Sequence, residues 1–168
     1  MTFAAPLALE TTQTVAADWI DYNGHMNVAY YSLAFDRAYD QLLERLGMDE
    51  GYRQRTGCSS FTLESHLCFL QEVRLGDSLR FTCWLLDHDA KRLHFFGEMT
   101  QIERGYVAAT HEWVALHVDL TTRRSTAMHA PLAPAVAALA LAHAGLPRPA
   151  RAGRRIGLRP AVAAAGAL

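Results

Sequence analysis

The sequence predicts an α+β fold in which one long helix and an antiparallel sheet form separate layers. Three observations carry that expectation. The clearest amphipathic segment in the 168 residues is a single helix near the front of the chain. About a hundred residues of strand-like segments come after it. The turns between those strands are too short for the crossover that parallel neighbours need, so the strands are expected to form antiparallel hairpins.

Taken in order, Thr11–Asp18 has β-branched character and predicts a short strand. Asp21, Tyr22, Asn23 and Gly24 are turn formers and predict a loop. Asn27 is placed to cap a helix that starts at Val28. Over Val28–Leu46, the residues Val28, Tyr31, Phe35, Tyr39, Leu42 and Leu46 recur at three- and four-residue spacing, which predicts a helix ended by Gly47. Its first eight residues carry no charge, whereas Asp36, Arg37, Asp40, Glu44 and Arg45 come later. The front half is therefore expected to be buried nearly all round, which a sheet curled around it would achieve. Strands are predicted at Ser60–Val73, Ser78–His88, Leu93–Glu103 and Tyr106–Leu120, with Thr126–His129 a short continuation. Pro134–Ala144 predicts a second, alanine-rich helix. Beyond it the Pro/Arg/Gly/Ala composition predicts a mobile or docked tail, frayed over Ala161–Leu168.

Composition excludes several classes. With 51% hydrophobic and 20% charged residues, the chain is not intrinsically disordered. Charges interrupt every apolar run before the roughly 18 residues that a membrane span needs. Met1–Leu9 lack a basic start and a proper apolar stretch, so no secretory leader is expected and the chain is placed in the cytoplasm. Cys58, Cys68 and Cys83 form an odd set without a C-x-x-C, which fits reduced, packed thiols. The net charge of −1 hides an asymmetry, because residues 131–168 hold five of the 16 basic residues and no acid. The remainder carries 11 basic and 17 acidic residues, or −6, which argues against a nucleic-acid binder.

The sequence holds no G-x-S-x-G, no G-x-G-x-x-G and no Walker A motif, and His111-Glu112 lacks the second histidine of a metalloprotease. His66 and Cys68 share a strand face, but no second pair completes a metal site. Neither a metal nor a cofactor is expected.

The segment that carries chemistry is Asp18–Asn27. It gathers two carboxylates, a histidine, two amides and a glycine immediately before an apolar helix. A helix start offers unpaired N–H groups and a positive dipole end, which can polarise a carbonyl and hold an oxyanion. A carboxylate just upstream can attack that carbonyl or activate a water. Gly24 allows a close backbone approach. The same residues could also serve only as turn and cap. A second candidate carboxylate is Glu64. Strict alternation puts Phe61, Leu63, Leu67 and Phe69 on one strand face and Glu64 with His66 on the other. His94, His111 and His117 fall within strand patterns and are expected to be packed or surface residues.

Asp21-x-x-Gly24-His25-x-Asn27, continued by Val28-Ala29-Tyr30-Tyr31, resembles the hotdog-fold acyl-CoA thioesterases of the 4-hydroxybenzoyl-CoA thioesterase type. Phe69-Leu70-x-x-Val73-x-x-Gly76-Asp77 and Val118–Thr122 are similar to further pieces of that family. The resemblance implies a five- or six-stranded antiparallel sheet wrapped around one long central helix, a hotdog domain over residues 1–130, and residues 131–168 as an added helix and tail. It implies a homodimer or dimer of dimers with sites at the subunit interface. Asp21 would be the catalytic carboxylate, as nucleophile or general base. The N–H near Val28 would polarise the thioester, and His25 and Asn27 would orient loop, water or substrate. Apart from the resemblance, Glu64 could orient His25 or water if its strand face lines the site across the dimer, and is otherwise part of a solvated face. Gly24, Tyr22, Val28 and Tyr31 would border the substrate. Coenzyme A phosphates would meet arginines such as Arg92, Arg123, Arg124 or those of the tail. Asp21–Met26 and Gly153–Arg159 further resemble the subgroup linked to carnitine breakdown, which acts on betainyl-CoA. There, aromatics including Trp19, Tyr22, Tyr30, Tyr31, Trp84 and Trp113 could cage a quaternary ammonium. A hotdog module that binds acyl-CoA without turnover is the competing expectation, and a hotdog hydratase a third.

Overall fold

Six antiparallel strands build one sheet in the computed structural model, which describes residues 7–158. They are β1 (Leu7–Thr14), β2 (Cys58–Phe69), β3 (Ser78–His88), β4 (Arg92–Gln101), β5 (Tyr106–Asp119) and β6 (Arg124–Ser125). The order across the sheet is β1-β3-β4-β5-β2, and β6 pairs with the end of β5. Helix α1 (Val28–Arg45) lies along the sheet, with α2 (Glu50–Thr56) after it and α3 (Leu132–His143) after the strands. This is the α+β hotdog architecture.

Local chemistry fixes α1 at both ends. Asn27 Oδ1 accepts from Ala29 N–H at 3.0 Å, which satisfies one orphan donor of the first turn. Gly47 ends the helix in the left-handed region at φ +95°, and a Cβ there would meet Pro131 Cγ at 2.6 Å. Glycine therefore both turns the chain and lets the start of α3 close against it. Tyr31, Ala34, Phe35, Ala38 and Leu42 are buried and belong to the core that Phe81, Phe95, Met99 and Trp113 contribute from the sheet. Phe35 sits edge-on to Phe81 at 5.4 Å, and Tyr39 edge-on to Trp113 at 5.3 Å. Gly97 in mid-β4 makes room for this packing, since a Cβ there would lie 3.3 Å from both Phe35 and Trp113.

Several expectations need correction. The first strand starts earlier and stops at Thr14; Ala17–Trp19 form a single 3-10 turn instead. Thr126–His129 are not a strand, because the extra pairing is the tight hairpin of Arg124 and Ser125 onto Asp119 and Val118. Helix α2 was not foreseen. The front of α1 is not buried all round: Val28, Ala29 and Ser32 are exposed, because this sheet covers only one side of the helix. In β2 a bulge at Leu63 separates the Thr62–Ala115 pair from the Glu64–Val114 pair. A bulge shifts the alternation by one residue. Leu67 and Phe69 accordingly stand opposite His111 and Ala109, while Phe61 stands opposite Leu116 and joins the face of Glu64 and His66. Ala161–Leu168 lie outside the described residues. The nearer part of the tail is docked, with Gly153 N–H donating to Glu112 Oε2 at 2.6 Å. Among the described residues no helix is long and apolar enough to cross a membrane.

Candidate active site

The loop before α1 is a closed turn. Ile20 and Met26 form an isolated bridge. Within it Asp21 N–H donates to His25 O at 3.1 Å, and Gly24 N–H donates back to Asp21 O at 3.0 Å. Gly24 takes φ +79°, and a Cβ there would meet nothing, so conformation alone calls for glycine. The turn is tied to the rest of the fold by Met26 N–H to Val73 O at 2.9 Å and Asn27 N–H to Trp19 O at 2.9 Å.

This turn brings Asp21 to the start of α1. Asp21 Oδ1 accepts from Asn23 N–H at 2.8 Å, and Oδ2 accepts from Asn27 Nδ2 at 3.3 Å. Asn27 is thus divided between two tasks, since its Oδ1 caps the helix and its amide nitrogen holds the carboxylate. Tyr30 N–H is satisfied by Asn27 O at 3.0 Å. Val28 N–H is left without a partner among the described residues. The result is a half-buried carboxylate beside a free, positively polarised amide.

The other sequence candidates are less closely gathered. His25 Nδ1 lies 3.2 Å from Met26 O, and the nearby Glu72 carboxyl is lowered chiefly by its hydrogen bond to the Arg74 side chain. Tyr22 is 96% exposed. Tyr31 is buried under the loop with its ring against Phe69 at 5.2 Å, and burial pushes its hydroxyl up from the ordinary tyrosine range. Glu64 lies on the outer face of β2 in a pocket with His66, His94 and Glu112, a pocket that Asp21 does not line. There His94 Nε2 and Glu112 Oε1 are 2.8 Å apart. Cys68 Sγ and His66 Nε2 are 3.7 Å apart, and no cluster of metal-ligating residues occurs among the described residues. His117 is packed, with Nε2 2.8 Å from the Tyr52 hydroxyl. Of the surface arginines, Arg92 is paired with Asp89 and Arg123 lies over the Phe61 ring.

One pocket escaped sequence reasoning. Between α1 and the β2–β5 edge lies a cavity of about 300 Å³. Buried Phe35, Tyr39 and Trp113 line it together with Ser32, Ser65 and His111, and Asp36 supplies a carboxylate. Ser65 Oγ and His111 Nε2 are 2.6 Å apart. Burial lowers His111 to a pKa of about 4, with a smaller contribution from His66, so the ring is neutral near pH 7. The helix half of this pocket had a sequence signal, because Ser32, Asp36 and Tyr39 recur at four- and three-residue spacing along one stripe. The Ser65–His111 pair was not, since it depends on strand register.

A long helix laid on one antiparallel sheet is the hotdog class of fold, and comparison with known proteins places the chain in a family of that class. The model of the thioesterase-like superfamily matches residues 15–139. The chain belongs to that superfamily and is a thioesterase. It is 42% identical over 153 residues to the betainyl-CoA thioesterase of Pseudomonas aeruginosa, covering 90% of this chain and 96% of that one. It is 39% identical over 154 residues to the L-carnitine dehydrogenase/betainyl-CoA thioesterase of Rhizobium meliloti, covering 92% of this chain but 31% of that longer protein. A Staphylococcus aureus protein solved in complex with CoA superposes with a TM-score of 0.85 at 30% identity, over 95% of this chain and 98% of that one.

Proposed function

We propose that this thioesterase hydrolyses a small acyl-CoA, and that the acyl group is betaine. The observation that carries the reading is the juxtaposition of Asp21 with the free Val28 N–H, in a chain similar along nine-tenths of its length to a betainyl-CoA thioesterase. The Val28 amide would hold the carbonyl oxygen and the negative charge that develops on it. Asp21 would either attack the carbonyl carbon, expelling CoA thiolate to leave an anhydride that water opens, or take a proton from the attacking water. Asn27 would fix the carboxylate for either route, and His25 would order the loop beside Glu72. In betainyl-CoA a quaternary nitrogen two bonds from the carbonyl carbon withdraws electron density from it, which suits an ordinary carboxylate as catalyst. The CoA-bound structural relative supports a CoA thioester as the form of the substrate.

The active unit in this proposal is a pair of chains. The edge strand β2 leaves one side unpaired and exposes Leu63 and Phe69, of which Phe69 lies against Tyr31 in the first turn of α1. Pairing of two such edges would close the open side of the site. The direct test is CoA release from betainyl-, acetyl-, butyryl- and benzoyl-CoA. Betainyl-CoA is expected to give the highest kcat/KM. Preference for an uncharged acyl group would overturn the betaine assignment, and no release from any thioester would favour a binding module.

A further inference from the structure

We propose that Asp36 selects the acyl group by charge: as the single formal charge among the described residues lining the pocket between α1 and the β2–β5 edge, its carboxylate attracts the quaternary ammonium of the bound thioester. The inference rests on the betaine reading and assigns it a residue.

Charge recognition could come from an aromatic cage or from a carboxylate. The cage is not built here. Trp113 is already stacked with two rings, His111 at 4.8 Å and Phe95 at 5.4 Å. Trp19 is stacked on Tyr30 at 5.6 Å and already carries the Arg37 guanidinium at 5.6 Å. Tyr22 stands in solvent, and Tyr31 is packed against Phe69. Cation–π attraction needs an open ring face bordering the ligand; Tyr22 has open faces but, like Trp19 and Tyr31, does not line this pocket.

The pocket is instead suited to a cation that cannot donate hydrogen bonds. Its floor is apolar and buried, which favours methyl groups. Asp36 is exposed at its rim, and no Arg or Lys pairs with it among the described residues. The neutral His111 leaves no opposing charge. Reach is consistent as well. Asp36 lies eight residues beyond Val28, about 12 Å along the axis. Side chains on a helix lean toward its N-terminus, which carries the carboxylate back over the turn of Ser32. A betainyl group held at Val28 projects its nitrogen along this same stripe. Attraction between unit charges some 6–10 Å apart at a protein-surface dielectric is on the order of tenfold or more in binding, reduced by salt.

The test compares betainyl-CoA with 3,3-dimethylbutyryl-CoA, which replaces the charged nitrogen by carbon at the same shape. Wild type is expected to favour betainyl-CoA at least tenfold in kcat/KM. Asp36→Asn is expected to remove most of that preference through a higher KM for betainyl-CoA, with the neutral substrate unaffected. Asp36→Glu keeps the charge and should keep the preference, and raising salt should erode it in wild type and Asp36→Glu but not in Asp36→Asn. If wild type discriminates by charge and Asp36→Asn discriminates equally well, the assignment of Asp36 is overturned while the betaine reading stands. If wild type turns over both thioesters equally, or neither, both readings are overturned.

Discussion

At the scale of single residues, Asn27 joins stability to chemistry. Its two side-chain atoms serve different partners, Ala29 N–H and the Asp21 carboxylate, so substitutions can separate the roles. Asn27→Ala removes both and is expected to cost about 1 kcal/mol of stability along with activity. Asn27→Asp keeps a capping oxygen but sets a second carboxylate against Asp21. It should melt close to wild type, yet lose kcat; a drop in melting temperature with kcat intact would contradict the positioning role. Asp21→Asn is expected to lower kcat by roughly 10²–10⁴ with the melting curve unchanged, as measured by CoA release and circular dichroism. These residues were legible in the sequence because turn formers, cap and helix start are contiguous, and local geometry brings them together. Glu64 illustrates the limit, since one bulge decided its neighbours. So does Asp36, whose proposed role depends on strand residues from Thr62 to Trp113, far along the chain.

At the scale of elements, legibility tracked locality. Helix α1 was placed to within a residue, because period, cap and terminating glycine all lie within it. Helix α2 carried its own signals, an Asp49 whose Oδ1 accepts from Tyr52 N–H at 2.7 Å and a Gly57 at φ +63°, but seven residues show too little periodicity to stand out. Strand faces failed at Leu63 because alternation cannot register a bulge. The contact of α1 with the sheet makes a pH prediction. Burial holds His111 near pKa 4 in the fold, against about 6.5 in the unfolded chain. Between those values the unfolded chain binds the extra proton, so this contribution to stability is complete above about pH 6.5 and is lost as pH falls toward 4. The loss amounts to as much as ~3 kcal/mol. His111→Gln, which keeps a partner for Ser65, should flatten the decline of melting temperature between pH 7 and 4.5. His117 and His143 are lowered in the same direction, chiefly by burial, so some slope should survive. An unchanged slope would show that His111 is not a source of it. A steric test of the same contact is Gly97→Val, expected to cost about 1–3 kcal/mol by wedging the sheet away from Phe35.

At the scale of the whole molecule, the features that look unfinished in one chain lie together. Asp21 lines neither pocket along α1, the uncharged front of the helix is bare at Val28, Ala29 and Ser32, and the longest unpaired edge of the sheet runs beside it at β2. The absence of charge over Val28–Phe35 was visible in the sequence; the surface that answers it is not in this sheet, which is why the expectation of complete burial failed for one chain. A long unpaired edge with exposed Leu63 and Phe69 is a template for pairing with another chain. The prediction is a particle of twice the chain's mass in light scattering at the concentrations used for assay. Leu63 is exposed at the bulge and makes no core contact, so Leu63→Glu should leave the chain folded while placing like charges across a two-fold edge. That variant is expected to run at the mass of one chain and to lose turnover together with the dimer, recovering both as concentration rises. A single folded chain with full activity would mean that Asp21 and Val28 suffice alone, and that the bare helix face serves some end other than completing the site.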